Sequence, residues 1–315
     1  MEYVKPTFLD ERLVPAHNNH RVDIHGERWY VRVYEDGSTS KMAPSWTTVK
    51  NKCAATDPGL LMWKTANSKE YTDFVSINSA HYGTFFHVMC GRYLSGETLM
   101  LNEGWLSEEM AIFSIAEDYS YEDCRQWMRN EKRDLRKDLY GFSVFCKTWQ
   151  VKPLAIEYPV MNVDGLYAAT IDIVAEITDP KTEVTCIAII DIKSTLKGVD
   201  RPDNELQLFA QWIEWNSEWL EFPAMKIFNY GCHNYRLPLS SKVIPYKLKD
   251  HSTVPNAFKW PLWLELFHSD QKNKPSKKKT DFKENVGICI AADNDEVFDT
   301  YDILGRVIDF DKEAF

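Results

Sequence analysis

A hairpin-like segment in the middle of the chain constrains the fold more than any other feature of the sequence. Two β-rich runs, Tyr167–Ile177 and Val184–Lys193, flank the short sequence TDPKTE, in which Asp179-Pro180 favours a turn. Apolar runs on either side of a short polar turn are typical of two adjacent antiparallel strands. The sequence therefore predicts a β-sheet built around this hairpin.

Charged residues interrupt both apolar runs of the hairpin. Asp172 lies in the first run, where an unpaired charge is unfavourable. In the second run, Asp191 and Lys193 share one face of the strand, and Ile192 points to the other face and into the core. Two carboxylates beside an amine suit a divalent cation that acts on a phosphodiester. For the second run alone, the simpler interpretation is a solvated Asp-x-Lys pair at a strand end.

Length, hydropathy and cysteine usage describe a folded protein without an export or membrane signal. The 315 residues, 44% hydrophobic with 11 Trp, are enough for one large domain or two small ones. No run approaches the length of apolar sequence that spans a membrane, and the first residues lack the apolar stretch of a signal peptide. The seven cysteines are scattered singly. We therefore expect a cytoplasmic protein with reduced thiols and no zinc or iron–sulfur site.

The net charge of −10 is unevenly distributed along the chain. Residues 284–315 contain nine acids and two bases, so the remainder has 35 basic and 38 acidic residues and a net charge of −3. Basic clusters occur at Arg125–Lys137 and within residues 272–283, which contain six lysines. A local basic surface is sufficient to bind phosphate, so the acidic total does not exclude a nucleic-acid partner. The lysine-rich segment is equally consistent with a solvated linker.

The remaining patterns predict a mixed sheet with helices on its faces, in a chain of three parts. Residues 1–150 contain a β-meander and helices, residues 151–268 contain the core strands, and residues 269–315 form a lysine-rich linker and an acidic tail. Further strands are expected in residues 20–45, with a turn at Asp36-Gly37, and at Ala155–Asn162, Met225–Tyr230 and Val243–Leu248. Helices are expected from Ser45 or Thr47, around Leu60–Trp63, from Gly83, over Ser107–Glu117, as one long helix over Tyr121–Trp149, over Glu205–Trp219 with Pro202 near its start, and over Ala257–Phe267.

Six short motifs follow one another between about residue 43 and residue 215. They are APSWTTVKNK…LLMWK, GTFFH at Gly83–His87, Glu157 in a predicted strand, ATIDIVAEI with Asp172, IAIIDIKST with Asp191 and Lys193, and ELQLFAQW with Gln207. In this order they resemble the motifs of the PD-(D/E)xK nuclease superfamily, and within it the RecB-like exonucleases that are often found in bacteriophages. One such motif would be weak, whereas the ordered set is specific.

The resemblance implies a fold, an activity and a cofactor. The fold would be α/β and restriction-endonuclease-like, with a mixed β-sheet flanked by helices and a helical N-terminal elaboration. The activity would be that of a divalent-metal-dependent DNA exonuclease, which hydrolyses phosphodiester bonds in phage recombination, replication or repair. One or two Mg²⁺ or Mn²⁺ ions would be the cofactor. DNA would be the substrate, and a single-strand annealing or binding protein a further partner.

The resemblance also assigns roles to individual residues. Asp172, Asp191, the main-chain carbonyl of Ile192 and His87 would bind the metal, and Asp172, Asp191, Lys193 and Glu157 would form the catalytic set. Lys193 would orient or deprotonate the attacking water, or stabilise the developing negative charge. Gln207, Gln211, Lys197 and Arg201 would contact DNA.

Simpler structural roles are available to the same residues. Asp172 can be a buried carboxylate that accepts hydrogen bonds from main-chain donors, and His87 can be a packed core residue. Lys193 can form a purely structural ion pair with Asp191 or Glu157. Glutamine is ordinary in a helix, so Gln207 carries little information outside its motif.

Three departures from the family pattern modify these expectations. Gln211 stands where the family has a Tyr, which affects the expected contacts with DNA, and Ala169 stands where a Gly is usual. The four cysteines that hold an iron–sulfur cluster in some relatives are absent. An endonuclease or a flap or junction nuclease with the same active site remains an open alternative, and so does a non-catalytic nucleic-acid-binding protein on a nuclease fold. Strand polarity, strand preference and oligomeric state are also open.

Overall fold

The computed structural model describes residues 6–24, 26–54, 57–129, 134–162, 164–232 and 245–270. Nearly all of the predicted linker and acidic tail lies outside the described residues, because the description ends at residue 270. Parts of the basic cluster at Arg125–Lys137 and of the strand predicted at Val243–Leu248 also lie outside them. The predictions for those segments stay predictions.

The elements are numbered in chain order. The strands are β1 Phe8–Leu9, β2 Asn18–Ile24, β3 Glu27–Val33, β4 Ala43–Pro44, β5 Lys152–Met161, β6 Ala168–Thr178, β7 Thr185–Lys193, β8 Lys226–Cys232 and β9 Tyr246–Asp250. The helices are α1 Trp46–Cys53, α2 Pro58–Thr65, α3 Lys69–Leu94, α4 Glu103–Ala116, α5 Tyr121–Arg129, α6 Leu135–Thr148, α7 Leu196–Val199, α8 Pro202–Glu218 and α9 Lys259–Ser269. In the described part of the chain, no helix has both the length and the apolar character needed to cross a membrane.

A six-stranded mixed sheet, in the order β1-β5-β6-β7-β8-β9, forms the centre of the molecule. Neighbouring strands are antiparallel except β7 and β8, which are parallel and are connected through α8. Parallel neighbours require a crossover, and the helix that makes it covers one face of the sheet. The predicted α/β class, with a mixed sheet and flanking helices, is confirmed. The predicted hairpin is β6–β7, in which Ile173 pairs with Ile190.

Side chains of β7 alternate between two hydrophobic clusters on opposite faces of the sheet. Ala188, Ile190 and Ile192 pack with α3, α4, α5 and α6 in one cluster. Ile189 packs with α1, α8 and α9 in the other cluster. Because successive side chains on a strand point to opposite faces, Asp191 belongs to the face that α8 covers. Helices therefore bury both faces of the sheet, as expected for a sheet with a parallel crossover.

A small sheet of β2, β3 and β4 joins the N-terminal part to the central sheet. The Arg32 guanidinium donates to the main-chain oxygen of Met161 at 2.5 Å, and the hydroxyls of Tyr30 and Thr170 are hydrogen-bonded at 2.7 Å. Strand β1 is itself an edge strand of the central sheet, paired with β5. Residues 1–150 and residues 151–268 therefore share one sheet and the hydrophobic clusters on its two faces.

Two predicted helices differ from the observed ones. Helix α3 begins at Lys69, so Gly83 lies in its interior and does not open it. An interior Gly disfavours a helix by about 0.5–1 kcal/mol relative to Ala, and the buried aromatic side chains of α3 outweigh that. The single helix predicted over Tyr121–Trp149 is two helices, because Asp134 caps a new helix by accepting a hydrogen bond from the amide of Arg136. The amphipathic pattern continues across the break, so it did not reveal the cap.

Candidate metal centre

Strands β6 and β7 separate at the level of Asp172. Their main-chain pairing extends as far as Ile173 and Ile190, whereas β7 stays paired with β8 through Lys193. In the resulting fork, the amide of Ile192 donates to Oδ2 of Asp172 at 2.8 Å, in place of a main-chain acceptor. The fork thereby fixes the orientation of the Asp172 carboxylate.

Three chemically active side chains meet at this fork. The ligand atoms of His87 on α3, Glu157 on β5 and Asp172 on β6 all lie within 4.8 Å of one another. Nδ1 of His87 is 3.7 Å from Oδ2 of Asp172 and 3.9 Å from Oε1 of Glu157. Residues far apart in the sequence therefore form one cluster of two carboxylates and an imidazole.

The main chain of β7 sets the orientation of the His87 ring. Nε2 of His87 is 3.0 Å from the carbonyl oxygen of Ile192. A carbonyl oxygen only accepts hydrogen bonds, so Nε2 is assigned as the donor that carries the proton. In the neutral ring the lone pair is then on Nδ1, which is buried, makes no hydrogen bond within the described residues and faces the two carboxylates. The ring is oriented by one nitrogen and leaves the other nitrogen available, as in metal-binding histidines.

A cation fits this cluster by both distance and chemistry. A lone pair that faces two carboxylates is unfavourable unless a proton on Nδ1 or a metal ion lies between them. Around a divalent ion bound at about 2.0–2.2 Å, neighbouring ligand atoms are separated by roughly 3–4 Å, which matches the observed contacts. Carboxylate oxygens suit Mg²⁺ and Mn²⁺, and the imidazole modestly favours Mn²⁺. His87, Glu157 and Asp172 are the residues that could hold the ion.

Glu157 has an unusual main-chain conformation for a strand residue. Its φ is +52°, in the left-handed region that residues with a Cβ rarely adopt. Its neighbours in β5 pair with Ile173 and Ile171 of β6, so Glu157 lies opposite Asp172. Strain of this kind costs about 1–3 kcal/mol and is found most often at functional sites. The strained residue is thus one of the three that form the candidate metal cluster.

Asp191 forms a second, adjoining unit with residues from β7 and α8. Its side chain is buried, Nζ of Lys193 lies 2.6 Å from its Oδ2, and Nε2 of Gln207 donates to its Oδ1 at 2.9 Å. Burial raises the pKa of Asp191, and the ammonium of Lys193 opposes that shift. The charges of Asp172 and His87 also act on this carboxyl, so the two units are electrostatically connected.

The structure divides the predicted metal ligands between these two units. His87 and Asp172 lie in the metal cluster, and Glu157 joins them there. Asp191 is outside that three-residue cluster and is held by Lys193 and Gln207. The carbonyl oxygen of Ile192 points to Nε2 of His87. Asp172 accepts a hydrogen bond from the main-chain amide of Ile192. A purely structural role for Asp172 also predicts a bond of this kind.

Of the four residues predicted to contact DNA, the structure contradicts the prediction for Gln211. Gln211 is fully buried and donates to the main-chain oxygen of Thr170 at 2.8 Å, so its amide is not available to DNA. Gln207 is partly buried and donates to Asp191, and its predicted contact with DNA stays a prediction. Arg201 is exposed and pairs with Asp203 at 3.0 Å. The side chain of Lys197 lies outside the described atoms.

Two features of the site were missed at the level of sequence. No residue pattern indicates the positive φ of Glu157, which depends on how β5 meets β6. The bond from Gln207 to Asp191 had only a partial signal, because the two residues are 16 positions apart on a predicted strand and on the predicted helix that follows it.

No protein-family model matches the sequence, and no curated protein matches it. The functional argument for this chain therefore depends on its own residues and on their geometry.

Proposed function

We propose that this chain is a divalent-metal-dependent deoxyribonuclease that hydrolyses phosphodiester bonds as an exonuclease. The observation that carries the proposal is the cluster of His87, Glu157 and Asp172 beside the buried ion pair of Asp191 and Lys193. An imidazole, three carboxylates and an ammonium are each unfavourable to bury without a partner. Their convergence on one forked strand end is explained by a cation and an anionic substrate.

Each residue has a distinct part in this proposal. His87, Glu157 and Asp172 would hold the ion, which when bound neutralises charge at the phosphate and makes a water molecule more acidic. Lys193 would place its ammonium against the negative charge that develops on the phosphate oxygens. Asp191 would keep that ammonium at the fork, and Gln207 would keep Asp191 in its orientation.

The fold gives independent support to the resemblance with PD-(D/E)xK nucleases. The observed order is a helix that carries the histidine, a strand that carries the glutamate, the hairpin with both aspartates, a crossover helix and a parallel strand. The sequence motifs are similar to family motifs in that same order. We therefore propose the restriction-endonuclease-like variant of the α/β class, with residues 43–150 as the part that holds a DNA end or strand.

The cellular role follows from the resemblance to phage-type exonucleases. We propose that the nuclease acts on DNA in phage recombination, replication or repair, in the cytoplasm of the host. A protein that anneals or binds single strands would be its functional partner, because resection of one strand exposes the other.

The decisive experiment is digestion of end-labelled DNA with controlled metal content. Linear single- and double-stranded DNA, labelled at the 5′ or the 3′ end, is incubated with Mg²⁺, Mn²⁺ or a chelator. We expect metal-dependent release of short products from one end. Asp172→Asn should abolish release, and Glu176→Gln is the matched control, because Glu176 lies on the same strand and pairs with Arg12 at 3.3 Å, away from the cluster.

Covalently closed circular DNA separates the alternatives. Resistance of circles supports an exonuclease, whereas their cleavage in a reaction that requires Asp172 identifies an endonuclease. Binding of DNA without turnover under every metal condition would instead identify a non-catalytic nucleic-acid-binding protein.

A further inference from the structure

Lys50 reaches from α1 to the end of the central sheet that carries the candidate metal centre. Its side chain is only 14% exposed, and its Nζ lies 3.7 Å from Oδ2 of Asp203 at the start of α8. Nζ also lies 3.5 Å from Oδ1 of Asn204, the next residue of that helix. Helix α1 packs against both α8 and α9, so the position of Lys50 is set by buried contacts of its own helix.

The residues around Lys50 are already engaged with other partners. Asp203 accepts two hydrogen bonds from Arg201, at 3.0 and 3.2 Å. Asn204 donates to the main-chain oxygen of Gly198 at 2.6 Å. Within the described residues, the shortest hydrogen bond of the Lys50 ammonium is the 3.5 Å contact to Asn204, which is long for such a bond. Lys50 is therefore a largely buried cation with weak internal partners.

Charged groups beside the candidate metal centre also change the pKa of Lys50. Burial lowers the pKa of Lys50, and the neighbouring ammonium of Lys193 lowers it further. Asp203 and Asp191 act in the opposite direction. The side chain of Lys193 packs beside Gly198, whose carbonyl oxygen accepts from Asn204, the same residue that Lys50 contacts. The two ammonium groups therefore lie near each other and repel across the space that separates them. An anion that enters this space would relieve the repulsion and give Lys50 a strong partner.

We propose that Lys50 binds a non-bridging oxygen of a DNA phosphate next to the one that is hydrolysed. This inference rests on the proposed nuclease function and adds to it a binding contact away from the reacting phosphorus. Asp203, which Lys50 contacts, also lines an open pocket of about 310 Å³ between α8 and α9. Asp203, the contact partner of Lys50, can therefore be reached from solvent through this pocket.

A contact with an unreacting phosphate has a specific kinetic consequence. Lys50 would bind the substrate equally in the ground state and in the transition state, so its loss should raise KM and leave kcat within about threefold. Loss of a charged hydrogen bond of this kind weakens binding roughly tenfold or more. It should also reduce the slope of log affinity against log salt by about 0.7–0.9, the value for one phosphate contact.

Lys52 provides a matched control on the same helix. Its Nζ is paired with Oε1 of Glu27 at 2.7 Å, and its side chain is more exposed than that of Lys50. Lys50→Met and Lys52→Met remove the same charge from neighbouring positions. We expect Lys50→Met to weaken DNA binding and lower the salt slope, and Lys52→Met to leave the salt slope unchanged. Affinity is measured with a labelled oligonucleotide, in chelator, over a series of KCl concentrations.

A second variant keeps the test valid if Lys50→Met lowers stability. Asp203→Asn removes the carboxylate that competes with phosphate for Lys50, and it retains the shape of the side chain. We expect Asp203→Asn to tighten DNA binding and the double variant with Lys50→Met to lose most of that gain. A purely structural Lys50 predicts that Asp203→Asn lowers the melting temperature without tightening DNA binding.

The outcomes separate this inference from the proposed function. If the wild-type protein cleaves DNA and Lys50→Met leaves KM, affinity and salt slope unchanged, the proposed role of Lys50 is overturned and the nuclease proposal stands. If the wild-type protein never cleaves DNA but Lys50→Met lowers the salt slope of binding by one phosphate contact, the phosphate contact of Lys50 is supported and the nuclease proposal is overturned. A wild-type protein that does not bind DNA overturns both.

Discussion

The amide of Ile192 donates to the carboxylate of Asp172 at 2.8 Å, at the point where β6 and β7 separate. In an uninterrupted ladder that amide would donate to a main-chain carbonyl of the neighbouring strand. Here the Asp172 carboxylate replaces that acceptor. The carbonyl of the same residue accepts from His87. One peptide segment of β7 thus orients two of the three residues in the candidate metal cluster.

This bond predicts different effects for two substitutions of Asp172. Asp172→Asn keeps an oxygen that can accept from the Ile192 amide, whereas Asp172→Ala leaves that amide without its partner. Both variants should reduce turnover by at least about 100-fold, the scale expected for a lost metal ligand. Only Asp172→Ala should also lose stability, by about 1–3 kcal/mol. Denaturant unfolding beside a nuclease assay checks this, and equal stability of the two variants would contradict the hydrogen bond.

Asp191 and Lys193 should behave as a coupled pair. Lys193→Met leaves the buried carboxylate of Asp191 without its cation, so it should lower both turnover and stability. Asp191→Asn removes the charge that burial disfavours, so it should lower turnover by about 100-fold with little loss of stability. The double variant should recover the stability lost in Lys193→Met and remain inactive. Additive losses of stability in the double variant would show that the 2.6 Å pair contributes no coupling.

His87 should affect metal dependence more than stability. If its Nδ1 binds the ion, His87→Ala shifts the metal activation curve to higher concentration, and more so for Mn²⁺ than for Mg²⁺. His87→Gln is the companion variant, because its amide can still donate to the carbonyl of Ile192. A packed core histidine would instead give lower melting temperatures and an unchanged activation curve. Metal titrations and thermal melts of both variants decide between these results.

The positive φ of Glu157 predicts an order of stability among its variants. Glu157→Gly and Glu157→Ala both remove the carboxylate, so both should weaken metal activation. Gly adopts the left-handed conformation without strain, so Glu157→Gly should be more stable than Glu157→Ala by about 1 kcal/mol. At an ordinary strand position the order is reversed, because Gly is unfavourable in a strand. Ile156→Gly and Ile156→Ala, one residue earlier in β5, provide that comparison.

The hairpin could be predicted from sequence because apolar runs and a turn dipeptide are local signals. The same holds for the cap at Ser45, whose side chain accepts from the amide of Thr48, and for Pro202 at the start of α8. The break between α5 and α6 could not be predicted, because the apolar spacing is continuous and the cap at Asp134 looks like any other acid in a charged segment. Local patterns thus predicted the types of most elements but missed the start of α3 at Lys69 and the boundary inside a long amphipathic run.

The residues of the candidate site also fall into those that could be predicted from sequence and those that could not. Asp172, Asp191 and Lys193 were visible because charges inside an apolar run are rare and demand partners. The contact of Lys50 with Asn204 was not visible, since it depends on how α1 packs against α8. The burial of Gln211 was also hidden, because a helical glutamine gives no sign of which neighbour its amide will meet. Tertiary packing decides such contacts, and a single sequence does not encode them in any local spacing.

Buried histidines should make the protein sensitive to mild acid. Burial, together with the charge of Arg32, lowers the pKa of His17 to about 4, and burial also lowers the pKa values of His20 and His251. In the unfolded chain these groups titrate near about 6.5. The unfolded state therefore binds more protons between the two values, so stability is fully present above about pH 6.5 and falls as the pH decreases toward the folded pKa values.

His17 allows this effect to be isolated. Its Nε2 lies 3.5 Å from Oε2 of Glu218, and burial raises the pKa of that carboxyl, which weakens its compensation of a charged imidazole in acid. His17→Gln removes the titrating group and should lose less stability than the wild type between pH 7 and pH 5. The difference should reach up to about 2 kcal/mol at pH 5, the limit set by a group that stays neutral in the folded state. Thermal melts or urea unfolding of both proteins at several pH values measure it. Parallel curves for the two proteins would show that His17 is accessible to protons in the folded state.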